Sequence, residues 1–514
     1  MMKTFAKYKT HLTAALIVTA ICFTSCEKFL DTDRQGAYTE EDYPYPENSS
    51  AYDLHVFGVY NDLRAYSVHT DAFINATSIR SDDADKGSTA EDGGADVIGM
   101  DNFPVLTTSG RANALWTGFY GMITKANNAI DEIEKAEPAQ PNEHLKQQAL
   151  AEVRFLRGYS YFMLVRLFGN IPLIDRRFDD PAQQSNVKQS SPDAIYSFLE
   201  EDLTFAAANL PLSWDSKFAG RVTSGAANGI LAKVYLTQKK WSAALGAANQ
   251  VIGSGQYDLS TSYSKIFGED GENSKESVFE VQATASPSIP QNNGTQYASI
   301  QGVRGENDWN LGWGWNVPSD MLEAAYEVGD PRKERTILYA STASDKSYSI
   351  HNELMPIYPG GVPNPRYNHK ILSNPSLRRS INRGSWWMNI RILRYADVIL
   401  MAAEAANELG QTEEARTALN SIRERARREA LAGTLPDIAS NNQTELRTHI
   451  RHERRIELAM EHDRFFDLVR WGIAEKTMHD AGKKNFKAGR DELLPIPQTQ
   501  IDLSKGVLIQ NNNY

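Results

Sequence analysis

A helical period that recurs in back-to-back pairs constrains this chain more than any other feature. In 391–409 the apolar residues Tyr395, Val398, Ile399, Ala402, Ala403, Ala406 and Leu409 return every three or four positions, which places them on one helical face. Gly410-Gln411 separates that stretch from a second periodic one at 412–429, and Lys239-Lys240 separates 223–238 from 241–253. So short a turn folds the second helix back along the first. Ala243, Ala244, Ala247 and Ala248 let such a pair approach closely, as in tetratricopeptide repeats, although no regular repeat period is sustained. Further helices are predicted at 51–66, 111–136, 143–168, 192–208, 318–328 and 444–472. Ser191-Pro192-Asp193 gives a start signal and Gly410 a stop. The expected class is mostly α: helix pairs capped by long irregular loops, with a few short strands.

The irregular regions are 82–110, acidic and rich in Gly, Ser and Thr, and 254–317 with 340–390, rich in Gly, Asn, Ser, Pro and aromatics. Loops this long in a compact chain are functional or disordered, and the aromatic content of the last two argues against disorder. The 514 residues, 41% hydrophobic and 23% charged, have a globular composition. No apolar run reaches the ~18–20 residues a spanning helix needs, which excludes a polytopic membrane protein. A net charge of −11 argues against binding led by nucleic-acid phosphates.

The N-terminus reads as an export segment. Lys3, Lys7 and Lys9 form a basic region, and Leu12 to Phe23 an apolar one too short to span a membrane. Thr24-Ser25-Cys26 follows and resembles a lipobox, at which a bacterial lipoprotein is cleaved and its cysteine lipidated. The two cysteines fit this reading, since Cys22 lies in the removed segment and Cys26 becomes the first mature residue. The mature chain then has no disulfide and depends on its core alone. Loss of 1–25, with its three lysines and no acidic residue, takes the net charge from −11 to −14. Lipidation places the protein on a membrane surface. The expected organisation is a signal peptide (1–25), a lipid anchor and acidic tether (26–50), a helical region (51–253) and a C-terminal region carrying the ligand loops (254–514).

Several segments then point to one family. They are Arg154 to Phe162 with Leu164 to Leu173, Ala232 to Leu236, Gly329-Asp330-Pro331-Arg332, Leu393 to Ala405, Glu453 to Leu458 with Asp463 to Gly472, and Leu494-Pro495-Ile496-Pro497 with Gln510-Asn511 and Tyr514. In this order they resemble the SusD/RagB family of outer-membrane nutrient-binding lipoproteins, the family of the starch-utilisation-system protein SusD. The resemblance implies a mostly helical SusD-like fold with tetratricopeptide-like units. It implies glycan capture at the outer surface of the outer membrane, without catalysis, and a partner: a SusC-like TonB-dependent transporter that receives the glycan.

Five of the nine tryptophans fall in two loop segments: Trp309, Trp313 and Trp315, and Trp386 with Trp387. An aromatic face suits the C–H face of a sugar ring, and Asn307, Asp308, Asn310 and Asn316 around the first group can bond hydroxyls. Trp309, Trp315, Trp386 and Trp387 are the candidate glycan contacts. Trp313 lies in a Gly-Trp-Gly element common in the family and is expected to be structural. Asp82 and Asp83 join the candidates because the resemblance puts this early loop at the glycan site.

Metal and enzyme chemistry find little support. Aligned as an EF-hand, the loop around Gly87 puts Ala84, Lys86 and Gly93 where ligands belong. His449, His452, Glu453, Glu457 and Glu461 share helical spacing, but Arg454, Arg455 and Arg464 stand beside them, as on an ion-paired face. No GxSxG, HExxH or Walker A element occurs. No metal and no cofactor is expected. Two alternatives stay open: a helical-repeat adaptor for a transporter of a non-glycan nutrient, and a surface glycosidase, which needs two facing carboxylates.

Overall fold

The computed structural model describes residues 51–137, 142–284, 294–346, 349–372 and 386–514. The expected signal peptide, Cys26 and the tether to residue 50 lie outside them.

Helix ends follow their chemistry. Helix α1 is Asp53–Asp62, α2 Gly110–Lys135, α3 Glu143–Phe168, α4 Pro192–Asn209, α5 Ser224–Thr237 and α6 Trp241–Gly253. After the loops come α7 (Tyr395–Glu408), α8 (Thr412–Arg427), α9 (Gln443–Glu457) and α10 (Arg464–Arg470). The Ser109 and Asn142 side chains accept N–H bonds at the starts of α2 and α3, and Ser191 accepts one from Ala194 at 3.3 Å at the start of α4. Gly410, at φ +79°, ends α7, and Gln411 N–H bonds back to Ala406 O at 2.9 Å.

These helices stack in sequence. α2 packs on α3, α3 on α4, α4 on α5, α5 on α6, α6 on α7, and α7 on both α8 and α9. Gly158 of α3 faces α4 so closely that a Cβ there would lie 3.1 Å from Leu203 Cγ. Phe119, Phe155, Phe162 and Phe168 are fully buried in the shared core, each contributing about 1.5–3 kcal/mol by leaving water. The chain is thus mostly α, with tetratricopeptide-like helix pairs and only two-stranded sheets among the described residues. No described helix is long and apolar enough to cross a membrane.

Two pairings organise the loops. Strand β1 (Ala84–Gly87) runs antiparallel to β3 (Trp315–Pro318), with Gly87 opposite Trp315. Strand β2 (Ser277–Val281) runs antiparallel to β4 (Ile390–Arg394). The second pairing corrects the helix predicted from 391, which begins only at Tyr395. Ile390 to Arg394 satisfy their backbone in a ladder, and Arg394 is drawn inside. The helix predicted at 444–472 is also broken. α9 stops at Glu457, and Met460 and His462 adopt φ +66° and +74° before α10. The His462 side chain is bonded on both nitrogens, to Thr77 Oγ1 at 3.0 Å and Tyr297 OH at 2.6 Å, and these tertiary bonds hold the break. The helices predicted at 51–66 and 318–328 are shorter, at Asp53–Asp62 and Asp320–Ala325.

The charged residues around the break form a buried network rather than a solvated face. Glu453 receives Arg332 at 2.5 Å, and Glu457 receives Arg332 at 3.1 Å, Arg394 at 3.0 Å and also Arg425. Glu461 takes Arg394 and Lys370 at 2.7 and 2.6 Å. The helix-neighbour arginines expected for these glutamates point elsewhere: Arg454 to Asp397 at 2.7 Å, Arg455 to Asp83 at 2.7 Å, Arg464 to Asp82 at 2.8 Å. Lys233 reaches Asp397 and Asp463. Burial alone would raise the Glu457 pKa, but Arg425, Arg394 and Arg332 hold it well below the usual carboxylate range. Four of the segments that carry the family resemblance, those with Lys233, Arg332, Arg394 and Asp397, and Glu453 to Asp463, are therefore tied by buried ion pairs, and removing one member leaves a buried charge unpaired at a cost of about 3–5 kcal/mol.

Candidate functional site

The 299–318 loop is built on close backbone contacts. Trp313 N–H bonds to Ser299 O at 2.9 Å, Gly314 N–H to Gly302 O at 2.9 Å, and Ser88 N–H to Gly314 O at 2.8 Å. Glycines make this possible: a Cβ on Gly312 would fall 2.2 Å from Ser299 O, and one on Gly87 2.5 Å from Gly314 O. With the backbone on either side pressed inward, the Trp313 side chain projects outward and is 51% exposed. This departs from the expectation that Trp313 is structural. The flanking glycines, which let the backbone press inward, leave the ring exposed.

Polar groups adjoin the next residue, Gly314. Ser88 Oγ accepts from Arg304 Nη1 at 2.6 Å and donates to Asp92 Oδ2 at 2.6 Å, and Arg304 and Asp92 form an ion pair. Lys86 Nζ donates to Thr89 O at 2.6 Å. Glu306, Asn307, Asp308 and Asn310 are exposed on the same loop. The surface is an aromatic platform on a fixed backbone beside amides, a hydroxyl and an internally neutralised ion pair. Such a surface can stack a ring and bond its hydroxyls.

The other candidates lie inside. Trp315 packs with Ile74, Ile79, Val97 and Ile300, with Arg111 5.3 Å from its ring centroid. Its ring stands 6.3 Å from that of Trp313, at 37°. Trp309 packs with Val303, Leu311, Val317 and Tyr367. Each of these two tryptophans retains 8% exposure. Trp386 and Trp387 stack on each other at 4.8 Å and 22°, in a cluster with Ala298, Ile371 and Met388. Thr295 and Trp386 exchange two backbone bonds of 2.8 Å, and Trp387 Nε1 donates to Glu269 at 3.2 Å.

Asp82 and Asp83 are buried in ion pairs. Arg464 grips both Asp82 oxygens at 2.8 Å, and Arg455 reaches Asp82 at 3.0 Å and Asp83 at 2.7 Å. Burial opposes ionisation of Asp82, but Arg464 and Arg455 hold its pKa below the usual value. For Asp83 burial prevails and raises it. Their carboxylates brace the root of β1, which carries Gly87 and Ser88 to Trp313. Among the described residues, no group of three or more His, Cys, Asp or Glu side chains is arranged to hold a metal ion.

Comparison with known proteins agrees with this fold. Residues 275–514 match the model of the SusD family, and 71–236 match that of a family described as starch-binding, associating with the outer membrane. The chain is 29% identical over 454 residues to SusD-like protein P2 of Formosa agariphila, covering 85% of this chain and 87% of that protein. It is 30% identical over 167 residues, 31% of this chain and 28% of the relative, to starch-binding protein SusD of Bacteroides thetaiotaomicron. A laminarin-binding SusD-like protein superposes with a TM-score of 0.76 at 29% identity, covering 90% of this chain and 99% of the other. Surface glycan-binding protein A of Bacteroides thetaiotaomicron, in complex with laminarihexaose, has the same fold at a TM-score of 0.75 and 23% identity, over 90% of this chain and 99% of the other.

Proposed function

Because this chain belongs to the SusD family, we propose that it binds a glycan at the surface around Trp313, without catalysis, and delivers it to a SusC-like TonB-dependent transporter. The observation that carries the reading is Trp313 itself: half-exposed, held through its own and its neighbour's backbone, with Ser88 and Arg304 against that neighbour, Gly314. Exposing an indole to water is unfavourable for the free protein, and a rigid exposed ring loses little entropy when a ligand stacks on it. Trp309 and Trp315 belong to the same site as the packing beneath the platform. Asp82 and Asp83 brace the strand β1 that pairs with Trp315, whereas Trp386 and Trp387 pack in a separate cluster with Ala298, Ile371 and Met388. The laminarin-binding and starch-binding relatives support a glycan as the ligand class.

In this reading Cys26 carries the lipid and the protein faces the cell exterior on the outer membrane. The Cys26→Ala chain then leaves the membrane fraction, and its retention there would sink the anchor. Glycan binding is tested by affinity electrophoresis of residues 27–514 in gels containing laminarin, soluble starch and other plant and host polysaccharides. At least one polymer retards the wild type, and Trp313→Ala weakens the retardation. Retardation unchanged in Trp313→Ala overturns this placement of the site. No retardation by any polymer favours the adaptor reading. Release of reducing sugar from a retarding polymer makes the protein a glycosidase.

A further inference from the structure

A second aromatic surface lies on elements that contribute nothing to the Trp313 loop. Two cavities, of about 400 and 530 Å³, adjoin along the strip Phe218 to Arg221 and share Glu280 as a wall. Both volumes fall in the ~300–1,000 Å³ range of small-molecule sites. None of the residues lining them belongs to the segments that carry the family resemblance.

Arg221 organises the strip. Its guanidinium donates to both Asp53 oxygens at 3.0 and 2.9 Å and to Glu152 at 3.0 Å. Three rings surround the same group: Trp214 at 4.0 Å, Phe57 at 5.4 Å and Phe218 at 5.4 Å from its carbon. The arginine charge is thus consumed within the fold, while its planar group holds the rings in place. Phe57 is 45% exposed, and Trp214 and Phe218 are half-buried. Gly220, at φ +91°, lets Gln282 lie against the backbone, since a Cβ there would fall 1.9 Å from Gln282 Cγ. Asn273 and Gln282 exchange bonds of 3.0 Å along the wall, and Asn61 stands exposed beside Phe57's cavity.

We infer that this strip is a second binding groove for an uncharged glycan chain. The inference rests on the glycan reading above. Partly exposed rings beside amides suit C–H faces and hydroxyls together. Asp53 and Glu152 neutralise Arg221 inside, Lys217 at the rim stands 3.8 Å from Asp215, Arg64 and Lys275 are bonded to Asn61 Oδ1 and Gln256 O, and Glu280 lines both cavities, so the lining favours an uncharged chain over an anionic one. A polymer that engages both surfaces is held by avidity, whereas a short oligosaccharide occupies either one alone.

The test uses the full chain in detergent, with wild type, Phe57→Ala, Phe218→Ala and Trp313→Ala run against the same polysaccharide panel. Phe57→Ala and Phe218→Ala each weaken retention of the retarding polymer by roughly tenfold or more. Calorimetry with laminarihexaose, or with the matching oligosaccharide of another retarding polymer, counts two sites in the wild type and one in Trp313→Ala. Retention abolished by Trp313→Ala but unchanged by both phenylalanine variants overturns the groove and leaves the Trp313 site standing. One site by calorimetry overturns it as well. No retention of any polymer by the wild type overturns both readings. If Phe218→Ala lowers the melting temperature, the half-exposed Phe57 and an Asn61→Asp variant, which puts a negative charge at the rim, decide the matter: unchanged retention in both overturns the groove.

Discussion

Arg464 closes on Asp82 with two bonds of 2.8 Å across 382 positions of sequence. This fork ties the root of the early acidic loop to α10, the helix within the Asp463 to Gly472 family segment. Both side chains are buried or nearly so, which makes the pair costly to break from one side.

Arg464→Ala leaves Asp82 with Arg455 alone at 3.0 Å. The expected loss is about 3–5 kcal/mol, read as a lower urea midpoint with an unchanged slope. Adding Asp82→Asn to Arg464→Ala recovers part of it, because the stranded charge is gone. A loss under about 1 kcal/mol in Arg464→Ala would mean the pair behaves as a surface bridge.

The second prediction concerns acid. Burial, with His69 nearby, pushes the His462 imidazole down to about 3, so the folded state keeps it neutral. In the unfolded chain histidine titrates near 6.5. The folded pKa lies below the unfolded one, so this contribution to stability is complete above pH ~6.5 and shrinks as the pH falls toward the folded value. Relative to His462→Gln, the wild type loses about 1.4 kcal/mol per pH unit once below pH ~6. Parallel stability curves for the two proteins from pH 7 to 5 would refute the assignment. The His462 imidazole resonances also hold their neutral positions over that range.

Gly87 provides the third. Its φ is +72°, and Gly314 O lies 2.5 Å from the place a Cβ would take, so Gly87→Ala is strained and crowded. The expected cost is about 2 kcal/mol or more, and the displaced Gly314 shifts Trp313. Polymer retardation therefore falls together with stability. Gly410→Ala, at φ +79° with open space around it, serves as the control: it costs about 1 kcal/mol and leaves retardation intact. Retardation unaffected by Gly87→Ala would show that the platform does not depend on the β1–β3 pairing.

By itself the sequence determined the helix pairs, their caps and turns, and the order of family segments. Those features depend on neighbours a few positions apart: the spacing of Val398, Ile399 and Ala402, the Ser191 side chain over Ala194, the left-handed Gly410. Only the tertiary structure decided which tryptophan faces water and which charges meet. Trp313 and Trp315 are two positions apart in the same loop, yet one is half-exposed and the other packs on Ile74 and Val97. That difference comes from Gly87 pairing with Trp315 and from Ser299 accepting the Trp313 N–H. The acidic row of α9 likewise has spacing that suits local arginines, but desolvation makes each buried carboxylate take the best-placed cation from any element. For Glu457 these are Arg332, Arg394 and Arg425, and no helical period encodes them.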